Sequence, residues 1–188
     1  MMIRLFALTL IGTWMLTGVV QASPADEFWT NLKSLCGQAF EGTLIASPDG
    51  DMEGERLIMH VRDCNSDQVR IPFVVGDNLS RTWVLARMGG RIMLRHDHRD
   101  RDGEPEAITQ YGGISPNYGS ANAQIFPADD FTLDRMPDNY PNVWVMEVYP
   151  GEKFVYYVRR LVTDRHYHVE FDLSEPVEPP PAPWGWED

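Results

Sequence analysis

The sequence predicts an all-β protein: an antiparallel up-and-down meander of nine or ten strands closing into a barrel, with a short N-terminal helix ahead of it. Three observations predict this. From Ala39 onward the apolar period is 2 rather than 3.6, turn residues recur every eight to twelve positions, and the links are short enough to make successive strands antiparallel neighbours. A meander left open would expose two edges, which closure into a barrel removes. A two-sheet β-sandwich is the alternative.

The chain begins with residues 1–22, where Arg4 supplies a positive start, residues 5–20 are apolar, and Val20-Gln21-Ala22 ends in the small-x-small pattern of a signal-peptidase site. That apolar run is shorter than the roughly 20 residues a spanning helix needs. Cleavage after Ala22 is therefore expected, with a secreted or periplasmic mature protein that does not insert into a membrane. At 188 residues and 43% hydrophobic content, the chain is long enough for one domain with a real core, expected over residues 23–173.

Ser23-Pro24-Ala25-Asp26 reads as a helix start, with Ser23 as N-cap, Pro24 at the first helical position and Asp26 favouring the dipole. Phe28, Leu32, Leu35 and Cys36 recur at helical spacing, and Gly37 supplies the stop. Strands are then expected near 39–47, 55–64, 68–75, 81–88, 91–99 and 106–111. The clearest hairpin lies over residues 81–100, where two alternating runs meet at Gly89 and Gly90. A less regular stretch over residues 112–142 holds one expected strand near 122–126, and strands near 143–149, 152–161 and 166–172 close the domain. Residues 174–188 carry five prolines and then Trp184-Gly185-Trp186, so this tail should be extended. A strap laying its tryptophans on the outside of the barrel is expected; a polyproline ligand is the alternative.

Charge restricts the partners. Without Arg4 the mature chain keeps 15 basic against 28 acidic side chains, a formal charge of −13. Such a field repels phosphate backbones, so nucleic acid is not an expected partner. Cys36 and Cys64, the two cysteines, both lie in the exported part, where a disulfide between them is expected.

The combination Phe28-Trp29, Leu35-Cys36-Gly37, Phe40-Glu41-Gly42, Arg81-Thr82-Trp83-Val84-Leu85, His96-Asp97-His98-Arg99, Tyr111-Gly112-Gly113 and Phe126-Pro127-Ala128-Asp129, with the Pro-rich ending, resembles a group of uncharacterised secreted bacterial proteins. That resemblance implies export and supplies neither an activity nor a site. The expected architecture resembles the lipocalin and fatty-acid-binding barrels; a lipocalin's Gly-x-Trp at the first strand is absent.

Two His-x-His pairs carry the candidate chemistry. His96 and His98 continue the face of Ile92 and Leu94, so their imidazoles should lie on a core-side face and could converge on one ion with His60. His166 and His168 lie opposite the apolar face of their strand and read as surface residues. Residues 97–102 do not make a calcium loop, because His98 stands where its first acidic ligand should be. The sequence contains no Gly-x-Ser-x-Gly, P-loop or dinucleotide fingerprint, and it names no cofactor. The expected function is an exported, non-catalytic binding protein holding a small apolar or amphipathic ligand, with Trp83, Arg87, His96, His98, Tyr111 and Tyr156 as candidate lining residues. One alternative is a metal-dependent enzyme or metal-binding protein using His96, His98 and His60; another is an envelope scaffold with a filled core.

Overall fold

The computed structural model describes residues 21–48, 50–136 and 142–186. Of the expected leader over residues 1–22, all but Gln21 and Ala22 lie outside the described residues. The helix α1 (Pro24–Lys33) starts as its sequence dictates, with Ser23 and Asp26 forming a reciprocal capping box around Pro24. Its buried side chains Phe28, Trp29 and Leu32, with Leu35 just beyond, join the main core.

Eleven strands follow in one antiparallel sheet: β1 (Ala39–Ala46), β2 (Leu57–His60), β3 (Asp63–Cys64), β4 (Gln68–Val75), β5 (Asn78–Met88), β6 (Arg91–His98), β7 (Tyr111–Ile114), β8 (Ala123–Pro127), β9 (Asn142–Tyr149), β10 (Lys153–Arg160) and β11 (His166–Val177). A second helix, α2 (Asp130–Arg135), lies between β8 and β9. Around the sheet the order is β7-β6-β5-β4-β2-β1-β11-β10-β9-β8, with β3 attached to β4, which makes a nearly closed barrel rather than a sandwich. The first and last strands pair with each other, so the seam falls mid-chain, between β7 and β8.

The seam is closed by other means than a strand ladder. Asp129 N–H donates to the Gly112 carbonyl at 3.2 Å, and Thr132 Oγ1 both donates to that carbonyl (2.7 Å) and accepts from Gly112 N–H (2.8 Å). The N-terminus of α2 is thereby fastened to β7. At Gly113 a Cβ would stand 1.8 Å from the Pro127 carbonyl oxygen, so the β8 backbone occupies the space of a side chain. Gly113→Ala is expected to force the seam apart at a cost of about 1–3 kcal/mol. A urea unfolding curve superimposable on the unsubstituted protein's would show that β8 does not approach β7 this closely.

Two expected strands differ from their prediction. The strand expected over 55–64 divides into β2 and β3, because Val61 turns to the helix exit: its carbonyl accepts from Gly37 N–H at 2.7 Å and its N–H donates to the Gln38 carbonyl at 3.0 Å. The Cys36–Cys64 disulfide joins the same helix exit to β3, with the Cα atoms 6.2 Å apart. On the chain-entropy model a loop of this size stabilises by roughly 3 to 4 kcal/mol. The strand expected over 106–111 is instead β7, which starts at Tyr111 because Gln110 takes a left-handed conformation, φ 61°, that no ladder accommodates.

Strand β11 runs on to Val177, where Pro176 and Val177 face Phe40 and Ala39 of β1. Beyond it the tail lies on the outside of the barrel. Trp184 N–H donates to the Leu79 carbonyl at 3.3 Å, the Trp186 ring sits under the Arg70 guanidinium at 4.5 Å, and the Trp184 ring sits under that of Arg101 at 5.4 Å.

Inward positions divide the barrel into two halves. Toward α1 the lumen is filled by Phe40, Leu57, Met59, Leu85, Leu94, Phe126, Met146, Phe154, Val169 and Phe171, none with more than 1% of its surface exposed. Phe171 lies against Gly42, where a Cβ would come within 2.7 Å of its ring. Away from α1 the same strands carry larger polar and aromatic side chains, and there the lumen opens.

Candidate functional site

Strand parity builds the site. On β5 the inward face reads Arg81, Trp83, Leu85, Arg87; on β6 it reads Ile92, Leu94, His96, His98; on β9 and β10 it continues with Trp144, Tyr156, Val158 and Arg160. The outer members of each series surround a cavity of about 350 Å³, to which Arg165 adds from the β10–β11 connection, Tyr167 from the start of β11 and Met52 from the β1–β2 loop. Its floor is aromatic. The Trp83 indole stacks on Tyr156 at 4.4 Å and on Phe73 at 4.7 Å, and His96 lies 4.6 Å from the Tyr111 ring, nearly parallel at 12°.

The histidines are held by phenols. His96 is 3% exposed, and its Nδ1 stands 3.1 Å from the Tyr111 carbonyl oxygen, which only accepts, so Nδ1 carries the proton. Nε2 is then an acceptor and receives a hydrogen bond from the Tyr156 hydroxyl at 2.9 Å. Burial drives the pKa of His96 down to about 3. His98 Nε2 pairs with the Tyr111 hydroxyl at 2.9 Å, and its Nδ1 is 3.7 Å from the Glu106 carboxylate. Burial, reinforced by the Arg81 charge, lowers its pKa to about 4. Both imidazoles are neutral at pH 7. Burial raises the pKa of Tyr111 and of Tyr156, so both phenols keep their protons.

Five of the six residues expected to line a ligand site, Trp83, His96, His98, Tyr111 and Tyr156, meet at this cavity. Arg87 does not. It lies at the opposite end, ion-paired with Asp26 and 5.9 Å above the Trp29 ring, because the four residues from Trp83 along β5 carry it to the helix plug. His60 also stands apart. It shares the face of Ile58, but Ile58 packs with Ala39 and Val74 in a small outer cluster while Leu57 and Met59 enter the lumen. His60 therefore faces away from His96 and His98. Among the described residues no three His, Cys, Asp or Glu side chains gather as a metal-ligand set. The proton on His96 Nδ1 and the phenol on Nε2 leave that ring no free lone pair for an ion. His166 and His168 pack on Tyr157, outside the lumen, as their parity indicates.

Arg81, Trp144, Arg160, Arg165 and Tyr167 line the cavity without having been singled out from the sequence. Arg81 was legible, since it precedes Trp83 by one strand period on the same face. Arg165 was not, because it lies in a turn whose direction no alternation specifies.

No family model, no curated protein and no solved structure matches this chain, so the likeness to secreted bacterial proteins remains a resemblance and the barrel rests on its own topology.

Proposed function

We propose that this is an exported, non-catalytic binding protein that holds a small amphipathic ligand in the outer half of its barrel. One observation carries the reading: a cavity of about 350 Å³ lined by aromatic side chains together with a few convergent polar groups. That volume is at the lower end of the roughly 300–1,000 Å³ of ligand pockets. Export is supported by the leader-like residues 1–22 and by the Cys36–Cys64 disulfide. The half of the lumen next to α1 is the filled core that keeps the ligand half in shape.

The neutral fluorescent probe N-phenyl-1-naphthylamine should bind saturably at one site. Val158→Phe, which extends a ring into the lumen, should weaken that binding at least tenfold while far-ultraviolet circular dichroism stays unchanged. Non-saturable binding, or binding untouched by a folded Val158→Phe protein, would reject the cavity as the site. Intact mass of protein recovered from the periplasm of an expressing bacterium should correspond to a chain starting at Ser23; an N-terminus at Met1 would reject export.

A further inference from the structure

The tail on the outside of the barrel is fastened to the segment that walls the cavity. Beyond Val177, where β11 ends, no strand ladder holds residues 178–186. Gly185 instead seats on Gly103. A Cβ on Gly103 would stand 2.5 Å from the Gly185 Cα, and a Cβ on Gly185 would stand 2.7 Å from the Gly103 carbonyl oxygen. Gly103 is buried, while Asp102 and Glu104 on either side of it are exposed. Two rings complete the seat: Trp184 lies 5.4 Å from the Arg101 guanidinium, and Trp186 lies 6.0 Å from that of Arg99. Arg81 and Met52, which line the ligand cavity, also line a second hollow together with Trp184.

The turn beneath Gly185 is continuous with that wall. Arg99 Nη1 donates to the Gly103 carbonyl at 3.0 Å, Gly103 N–H donates to the Asp100 carbonyl at 2.9 Å, and Glu106 N–H donates to the His98 carbonyl at 3.0 Å. His98 N–H in turn donates to Thr109 Oγ1 at 2.8 Å, and Gln110 N–H donates to the His96 carbonyl at 2.6 Å. Gln110 takes a left-handed conformation, φ 61°, a strained state that persists only while its surroundings hold it. His96, His98 and Tyr111, which this segment holds, line the cavity. We propose that the C-terminal strap is a latch on the ligand cavity: docked, it locks residues 99–110 and with them the His98–Tyr111 wall; lifted, it lets that wall loosen so that ligand enters and leaves faster. The effect on ligand rests on the binding reading above, whereas the latch itself rests on the seat of Gly185 on Gly103. Ring–guanidinium contacts at a surface are individually weak, so a strap held by them belongs to the low-stability end of the molecule and lifts without the barrel unfolding.

Gly185→Ala tests this, because its methyl group has no room and its φ of 78° is one that alanine rarely adopts. Trp184→Ala lifts the strap without adding an atom and serves as the second variant. Amide hydrogen exchange followed by NMR, with no ligand present, should speed up at least tenfold at His98 and Gln110 in Gly185→Ala and at least threefold in Trp184→Ala, while the amides of β9 and β10 stay within about twofold. Release of N-phenyl-1-naphthylamine in stopped flow should become at least fivefold faster in Gly185→Ala. Unchanged exchange at His98 and Gln110 in both variants would overturn the latch. So would an equal rise in β9 and β10, since that reports loosening of the whole barrel. Faster exchange with an unchanged rate of probe release would overturn the control of the cavity. If the probe binds neither variant nor the unsubstituted protein, the binding reading fails, and the exchange comparison decides the latch without it.

Discussion

Replacing Trp83 by alanine is expected to destabilise the protein by about 3–5 kcal/mol, the range for removing a large aromatic side chain from a packed core. Trp83 is 1% exposed and sits at the boundary between the filled and the open halves of the lumen. Its ring contacts are Phe73 at 4.7 Å, Tyr156 at 4.4 Å, Phe154 at 6.0 Å and Phe171 at 6.2 Å, so alanine leaves four aromatic rings without their common neighbour. The Tyr156 ring on which Trp83 stacks carries the phenol that in turn holds His96. Removing Trp83 loosens the ring that holds His96 as well as opening a void. Trp83→Phe keeps a ring in the stack with less volume, and should cost less than half as much. Urea unfolding of both variants at pH 7 measures this; a loss below about 1 kcal/mol for Trp83→Ala would mean that the rings collapse into the space and that Trp83 is not the floor.

How much of this was legible depended on whether a residue's neighbours along the chain determined its position. The β5–β6 hairpin was, because Gly89 and Gly90 at φ 56° and 87° are the conformations a tight two-residue turn requires, and the period of 2 then orients every side chain from Arg81 to His98. Helix α1 was, because Ser23, Pro24 and Asp26 set its start locally. The placement of His60 was not. Alternation gives two faces without saying which is inner, and on β2 both faces are apolar: Leu57 and Met59 enter the lumen while Ile58 joins the outer cluster. Helix α2 fell inside the stretch over residues 112–142 that was read only as less regular. Asp129 caps it by accepting from Thr132 N–H at 3.1 Å, but six residues are too few for a periodic stripe to show. The seam between β7 and β8 was illegible for a different reason, since it depends on a glycine of one strand meeting the backbone of another, a contact that no single segment encodes.

Acid should unfold this barrel through His96 and His98 before its carboxylates titrate. Both rings have their pKa lowered by burial, to about 3 and about 4, from an ordinary histidine value near 6.5. Between those limits the unfolded chain binds protons that the folded chain refuses. Stability is therefore full above pH 6.5, falls as pH drops below that value, and levels only beneath the folded pKa values. Each histidine contributes about 1.4 kcal/mol per pH unit across its window, so the pair removes on the order of 5 kcal/mol by pH 4. Asp26, Asp129, Glu170 and Asp172 all have lowered pKa values, so the stability they contribute is lost only as pH falls below the ordinary carboxylate range, after the histidine loss has begun. The cause is geometric: the Nδ1 proton of His96 is committed to the Tyr111 carbonyl and its Nε2 lone pair to the Tyr156 hydroxyl, so a second proton must displace the phenol inside a closed aromatic layer. Urea midpoints at pH 7.5, 6, 5 and 4.5 should decline steadily for the unsubstituted protein. His96→Gln and His98→Gln should each remove about half of that slope, and histidine ring resonances followed by NMR should show two imidazoles that do not titrate above pH 5. A flat stability profile from pH 7 to 5, or ring resonances of His96 titrating near 6.5, would mean that water reaches these rings and that the cavity floor is not the dry layer that its stacked aromatics form.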